Sequence, residues 1–307
     1  MGDNGRMSQP IGPTYESYLK IPELLSLQQP LSSPEAHDEL QFIIVHQTYE
    51  LWFKLMLHEV RSTIGHLEKG EVGPSLWLMR RNLEIARVMI QQIHVMETMS
   101  PARFLDFRDV LKPASGLQSA QFRCLEFLSG MKDERYLQLY PGSPESRGLL
   151  EQALKAPSLW DGFLATLKRR GLPMSEPDAL MQSLQRIYID DAFLDLHQLA
   201  EAFIEYDEAF RIWRTMHYLM AERMIGFKPG TGVQHTEAMQ MGGEAQAGGA
   251  ANAGGGCPFG HGALPREGDG PSFQDPGVHY LKGRAELRFF PLLWELRSHL
   301  GTGAYGG

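Results

Sequence analysis

Large side chains recur at alternating steps of three and four residues in the last third of the chain. They are Phe203, Tyr206, Phe210, Trp213, His217, Met220 and Met224. Because an α-helix turns once every 3.6 residues, this spacing places all seven on one face of a single long helix. A face so rich in aromatic rings and methionines has to be buried against other elements.

His217 is the exception on this face, since it brings an imidazole among apolar side chains. A neutral imidazole in such surroundings either hydrogen-bonds another buried group or coordinates a metal or heme iron. An ordinary core histidine has the same spacing, so the pattern by itself leaves both interpretations open.

A second histidine lies in the segment FIIVHQTYELWFKLMLHEV, residues 42–60, which is apolar almost all round and predicts a central helix buried on most sides. One line along this helix carries Phe42, His46, Glu50 and Lys54 at four-residue intervals. Each unpaired buried polar group costs ~1–3 kcal/mol. The line therefore predicts an internal polar network or, at Phe42 and His46, a surface for a planar ligand with one N–H or O–H group.

The rest of the chain shows few strand patterns and many helical ones, so we expect an all-α bundle. The first long helix is expected to start at a capping box formed by Ser32 and Glu35, with Pro34 in its first turn. Helices are predicted at about 32–68, 74–98, 101–111, 116–128, 146–156, 158–170, 176–199, 199–224 and 285–300. Gly226 is a suitable C-cap for the helix that carries His217.

Residues 233–276 differ from the rest of the chain. They include GGEAQAGGAANAGGG and contain few large apolar residues, so they cannot bury enough surface to offset the entropy of ordering. We interpret them as a mobile loop inserted into one domain that spans residues 1–307. Within the loop, Cys257 and His261 could bind heme or a metal, although the glycine-rich setting favours an incidental surface thiol.

Composition excludes several classes of protein. The 29 basic and 37 acidic residues give a net charge of −8, which disfavours a nucleic-acid or anionic-membrane partner. Two cysteines are too few for a disulfide framework and indicate a reducing compartment. No signal peptide and no apolar run of membrane-spanning length are found, so we expect a cytoplasmic protein.

The short helix predicted at 101–111, with Ser100 as its N-cap, carries a cation beside an aromatic ring. Phe104 and Arg108 are neighbours on this helix, and arginine suits bidentate capture of a carboxylate. An internal ion pair between Arg108 and the adjacent Asp109 is the alternative. Further along, the glycine-rich GFKPGTG, residues 226–232, fits either a loop that closes over a ligand or an ordinary turn.

Together these segments resemble the tryptophan 2,3-dioxygenase family. The resemblance is carried, in the family's order, by TYESYL (14–19), QQPLS and HDELQFIIVHQTYELWFKLMLHE (28–59), FRDVLKPASGLQSAQFR (107–123), FRIWRTMHYLMAERMIGFKPGTG (210–232) and RFFPLLWELR (288–297). It implies a helical homotetramer with one heme b per subunit. It also implies oxidation of L-tryptophan by O2 to N-formylkynurenine, the first step of the kynurenine pathway.

The resemblance also implies a role for each candidate residue. His217 would be the axial ligand of the heme iron, with Trp213 and Ser115 near the heme. Around the substrate, His46 would accept the indole N–H, Phe42 and Phe104 would pack beside the ring, Arg108 would bind the carboxylate, and Thr231 would bind the amino-acid end. Tyr15, Tyr18 and Leu19 would enter the site from a neighbouring subunit.

Two departures from the family's pattern stand out, and they keep other functions open. The insertion follows Gly-Thr-Gly directly, and Phe104 stands where some members have tyrosine and others phenylalanine, so the second departure is a tolerated one. The insertion motivates an alternative, a heme-dependent monooxygenase acting on a substituted tryptophan or related aromatic amino acid. A heme-binding sensor or carrier without turnover is another.

Overall fold

The computed structural model of the protein describes residues 12–140, 142–226, 228 and 277–301. Over these ranges it contains α-helices joined by short 3-10 helices and turns, without a β-strand, which confirms the predicted all-α class. The α-helices are α1 (Tyr15–Leu19), α2 (Ile21–Leu25), α3 (His37–Lys69), α4 (Val72–Glu97), α5 (Pro101–Arg108), α6 (Ala120–Leu128), α7 (Pro144–Lys155), α8 (Leu159–Arg169), α9 (Pro177–Ile189), α10 (Leu194–Ile225), α11 (Val278–Ala285) and α12 (Pro291–Leu296).

The centre of the fold is formed by the three longest helices. Helix α4 packs against both α3 and α10, while α6 and α8 pack on α3 and α11 packs on α10. Fully buried side chains fill the space between them, among them Met56, Val60, Leu67, Met79, Met89, Phe203, Tyr206 and Phe210. Each such side chain stabilises the fold by about 1.5–3 kcal/mol relative to its exposure to water.

The helical face predicted at residues 203–224 is confirmed. It lies on α10, and all of its members except His217 are buried. The helix ends at Gly226, which has a φ of 58°, as the predicted C-cap requires.

The predicted start of the first long helix at Ser32 is wrong, because α3 begins at His37 with Ala36 as its N-cap. The Ser32 hydroxyl accepts the N–H of Ala36 at 2.8 Å. The carboxylate of Glu39, instead of that of Glu35, accepts the N–H groups of Leu31 at 2.7 Å and Ser32 at 3.0 Å. Glu39 therefore ties the preceding segment to the start of the helix.

The predicted boundary at Leu199 is also wrong. The α-helical conformation is interrupted between Ile189 and Leu194, where the Asp190 carboxylate accepts the N–H of Ala192 at 3.0 Å. Similarly, the helix predicted over 116–128 is divided at Ser119, whose hydroxyl caps α6 by accepting the N–H of Phe122 at 3.2 Å.

The helix predicted at 285–300 is shorter than expected, because α12 begins only at Pro291. The fully buried carboxylate of Asp207 on α10 accepts the N–H groups of Phe289 at 3.0 Å and Phe290 at 3.2 Å, and the indole N–H of Trp294 at 2.9 Å. These donors compensate the buried carboxylate and tie the C-terminal segment to α10.

Helix α3 is not buried on most sides, contrary to the prediction. Leu40, Ile44 and Leu51 keep 43–51% of their surface exposed.

The described residues include no helix with the length and apolar character that crossing a bilayer requires. Thr231, the insertion at 233–276, and its Cys257 and His261 lie outside the residues that the structure describes.

Candidate functional site

His217 lies on α10, one turn after Trp213, and the two rings are nearly parallel at an angle of 3°, with their centroids 5.3 Å apart. Burial, together with the positive charges of His46 and Arg123, lowers the pKa of His217 to about 4. The ring nevertheless keeps some accessible surface, so it borders a space deep within the protein. Within the described residues the imidazole makes no hydrogen bond.

His46 lies on α3, and its Nδ1 atom is 2.7 Å from the backbone carbonyl oxygen of Phe42. A carbonyl oxygen can only accept a hydrogen bond, so Nδ1 carries the hydrogen and Nε2 of the neutral ring is an acceptor. Burial lowers the pKa of His46 below its usual 6.5, although the hydrogen bond to Phe42 and the charge of Glu50 act in the opposite direction. The ring is therefore neutral at pH 7.

The two imidazoles come from different helices but lie close to each other. A charge on His46 contributes to the lowered pKa of His217, so the rings are within electrostatic reach. In the single chain His46 is exposed and His217 is partly exposed, so both rings have accessible surface where α3 and α10 approach each other.

An aromatic cluster adjoins His46. The Phe42 ring lies 4.0 Å from the His46 ring, 5.8 Å from the Phe104 ring and 5.6 Å from the Phe107 ring, measured between centroids. Phe104 and Phe107 are themselves in edge contact at 5.4 Å. Helices α3 and α5 thus provide one aromatic wall, and sequence reasoning did not single out Phe107 as part of it.

Arg108 follows this wall at the last position of α5 and is half-buried. Its predicted alternative partner, Asp109, forms its ion pair with Lys112 instead, with Nζ and Oδ1 2.8 Å apart. Lys112 is also the main cause that lowers the pKa of Asp109, and Arg108 contributes less. The carboxylate next to Arg108 in sequence is therefore not its dedicated partner.

Ser115 caps the 3-10 helix Gly116–Gln118, because its hydroxyl accepts the N–H of Leu117 at 3.3 Å.

Tyr15 and Tyr18 lie on α1 with 79% and 75% of their surface exposed, and Leu19 is 42% exposed. Within one chain, no ring contact or hydrogen bond joins these three side chains to His46 or to the aromatic wall.

Of the line of polar residues on α3, Glu50 joins an internal network and Lys54 does not. Gln121 on α6 donates from Nε2 to the Glu50 backbone carbonyl at 2.9 Å and to its carboxylate at 2.8 Å, so the predicted internal network exists there. Lys54 is exposed and takes no part in it. Sequence reasoning also missed a buried ion pair between Arg123 and Glu126, which their three-residue spacing on a helix could have indicated.

The arrangement suits a flat aromatic ligand. His46 offers one acceptor atom beside an aromatic wall, Arg108 offers a guanidinium at the end of that wall, and His217 offers an imidazole that stays neutral. Neither histidine has the pKa of a strong base, so the site is suited to holding and orienting a ligand.

Comparison with known proteins gives an independent result. The family model described as "Tryptophan 2,3-dioxygenase" matches residues 2–170. The chain is 41% identical over 294 residues to a protein of Nocardioides sp. named tryptophan 2,3-dioxygenase, and the match covers 94% of each chain. A protein of the same name from Xanthomonas euvesicatoria is 40% identical over 233 residues, which are 71% of this chain and 78% of the relative.

Proposed function

This chain belongs to the tryptophan 2,3-dioxygenase family, and we propose that its reaction, the oxidation of L-tryptophan by O2 to N-formylkynurenine, takes place between His46 and His217. The observation that carries this location is the approach of two imidazoles with lowered pKa values from different helices to each other. The aromatic wall of Phe42, Phe104 and Phe107 stands beside it.

The family is heme-dependent, and the residues present fit a heme. His217 has a ring without a hydrogen bond and a pKa of about 4, so a nitrogen lone pair is available at neutral pH. The neighbouring Trp213 N–H is buried and lacks a hydrogen bond of ordinary geometry. In our proposal His217 would hold the iron of one heme b per subunit, with Trp213 and Ser115 beside it.

When bound, the heme would supply the iron chemistry that activates O2. The protein's own contribution is to hold the indole in place. His46 Nε2 accepts the indole N–H, because the carbonyl of Phe42 holds the opposite nitrogen in its protonated form. Phe42 and Phe104 pack against the ring and exclude water from it.

The amino-acid part of the substrate needs charged and polar partners. Arg108 binds the carboxylate, because a guanidinium matches its two oxygens with two parallel hydrogen bonds. Thr231, which lies outside the described residues, binds the amino-acid end in our proposal. In this arrangement His46 orients the substrate and does not remove a proton from it.

We further propose a homotetramer in which Tyr15, Tyr18 and Leu19 complete the site of a neighbouring subunit. The support is their exposure on α1 and the apolar surface that Leu40 and Ile44 leave uncovered on α3. Exposed apolar groups of this kind are typical of an interface that a partner covers. A single domain over 1–307, the insertion at 233–276 and a cytoplasmic location stay predictions.

Two measurements test this function. A Soret band in the visible absorption spectrum of the purified protein tests the cofactor directly. Mass spectrometry of the product made with 18O2 tests the reaction, and we expect L-tryptophan to gain two labelled oxygen atoms. A gain of one atom would contradict dioxygenation and favour the monooxygenase alternative.

A further inference from the structure

A group of five charged side chains lies in the core outside the proposed substrate site. This buried ionic cluster consists of Arg123, Glu126, Asp207, Arg214 and Arg284. Glu126 is its centre, with one carboxylate oxygen 2.5 Å from Arg123 Nη1 and the other 2.7 Å from Arg284 Nη2. Arg123, Glu126, Asp207 and Arg214 are buried, and Arg284 is partly buried, with 12% of its side chain exposed.

The charges in the buried ionic cluster do not balance. Three arginines face two carboxylates, so one positive charge is in excess among the described residues. Arg214 has no carboxylate at ion-pair distance and donates instead to the backbone carbonyls of Arg284 at 3.3 Å and Leu287 at 2.7 Å. Arginine does not lose its proton in proteins, so this excess is permanent.

An uncompensated buried charge is costly, and its field extends far because little water screens it. The Nε atoms of Arg123, Arg214 and Arg284 are also buried without a hydrogen-bond partner. Bound groups with negative charge, or groups that gain an electron, are stabilised in such a field.

The buried ionic cluster is connected to His217 through two aromatic rings. The Arg123 guanidinium stands 4.9 Å from the centre of the Phe122 ring, and the Phe122 ring lies 5.2 Å from the Trp213 ring. Trp213 in turn stacks on His217 at 5.3 Å.

We propose that the excess positive charge of the buried ionic cluster raises the reduction potential of an iron held by His217 and so favours its ferrous form. Ferrous heme carries one electron more than ferric heme, and a nearby fixed positive charge lowers the energy of that electron. The cluster touches neither substrate nor ligand and acts through its field. This inference rests on the proposed function, because it requires His217 to bind the heme iron.

The test is a spectroelectrochemical titration of the heme-loaded protein without substrate. Arg123→Gln removes one positive charge, and we expect the ratio of ferrous to ferric protein at a fixed potential to fall about tenfold, which is 59 mV for one electron. Glu126→Gln removes one negative charge and is expected to raise the ratio by a similar factor. Tyr136→Phe, at the ring on which Arg123 stacks, changes no charge and is expected to leave the ratio unchanged.

The double variant Arg123→Gln/Glu126→Gln separates charge from local damage. It keeps the excess at one positive charge, so its potential is expected close to that of the unmodified protein. If Arg123→Gln does not fold, Arg284→Gln removes the same charge from a more accessible position.

Two kinds of failure are distinguishable. An unmodified protein that never binds heme contradicts the proposed function. A heme-loaded protein in which the single-charge variants keep the original potential, or shift it in the same direction, overturns this inference while the proposed function stands.

Discussion

The Nδ1–H of His46 donates to the backbone carbonyl of Phe42 at 2.7 Å, one turn earlier on α3, and the rings of these two residues lie 4.0 Å apart. One contact thus fixes the tautomer of the imidazole and its position beside the aromatic wall. The remaining nitrogen, Nε2, has to be an acceptor while the ring is neutral.

Replacing His46 by alanine removes the acceptor for the indole N–H. We expect kcat/KM for L-tryptophan to fall about fivefold to tenfold, because one neutral hydrogen bond contributes ~1 kcal/mol. The control is 1-methyl-tryptophan, which has no indole N–H. Its kcat/KM should be nearly the same for the unmodified protein and for His46→Ala. An equal loss for both substrates would show that His46 does not bind this N–H.

The pH dependence of the same contact follows from the lowered pKa of His46. Protonation turns Nε2 into a donor, so KM for L-tryptophan rises only when the pH falls below the depressed pKa. We expect KM to stay constant from pH 8 to below 6.5 in steady-state assays. An increase in KM centred above pH 6.5 would contradict the lowered pKa of His46.

Replacing His217 by alanine removes the proposed iron ligand. We expect the purified variant to lose its heme, measured as the ratio of Soret to protein absorbance, and imidazole added to the buffer to restore part of the binding. His94→Ala, at an exposed histidine of α4, is the matched control and should keep its heme. A fully loaded His217→Ala protein would end the assignment.

Replacing Arg108 by alanine removes a bidentate contact to the substrate carboxylate. We expect KM to rise by about 30-fold or more, since a hydrogen bond to a charged group contributes ~2–3 kcal/mol, while heme content is unchanged. Arg103→Ala provides the control, because Arg103 lies on the same short helix and its side chain is 65% exposed. An unchanged KM in Arg108→Ala would remove the carboxylate-binding role.

A site shared between subunits predicts complementation. When Arg108→Ala and Tyr18→Ala subunits are unfolded together and reassembled, some sites combine the intact residues of both, so activity should exceed the mean of the two separate variants. Mixing Arg108→Ala with His217→Ala is the control, because both residues belong to one subunit's site. No gain in the first mixture would argue that each subunit builds its site alone.

Local sequence patterns determined much of the fold. The periodicity of α10, the cap of α5 at Ser100 and the end at Gly226 were predicted correctly because helix geometry and capping depend on residues a few positions apart. The same periodicity also placed the imidazole of His217 among apolar side chains. These features need no knowledge of the rest of the chain.

The tertiary structure decided what depends on distant partners. The start of α12 follows from Asp207, which binds backbone groups far along the chain, and no local pattern contains that carboxylate. The proximity of His46 to His217 likewise depends on how α3 and α10 pack on α4. The unbalanced charge of the buried ionic cluster also depends on which helices the tertiary structure brings together. Periodicity tells which face of a helix is apolar, but the free energy of packing decides which other face it meets.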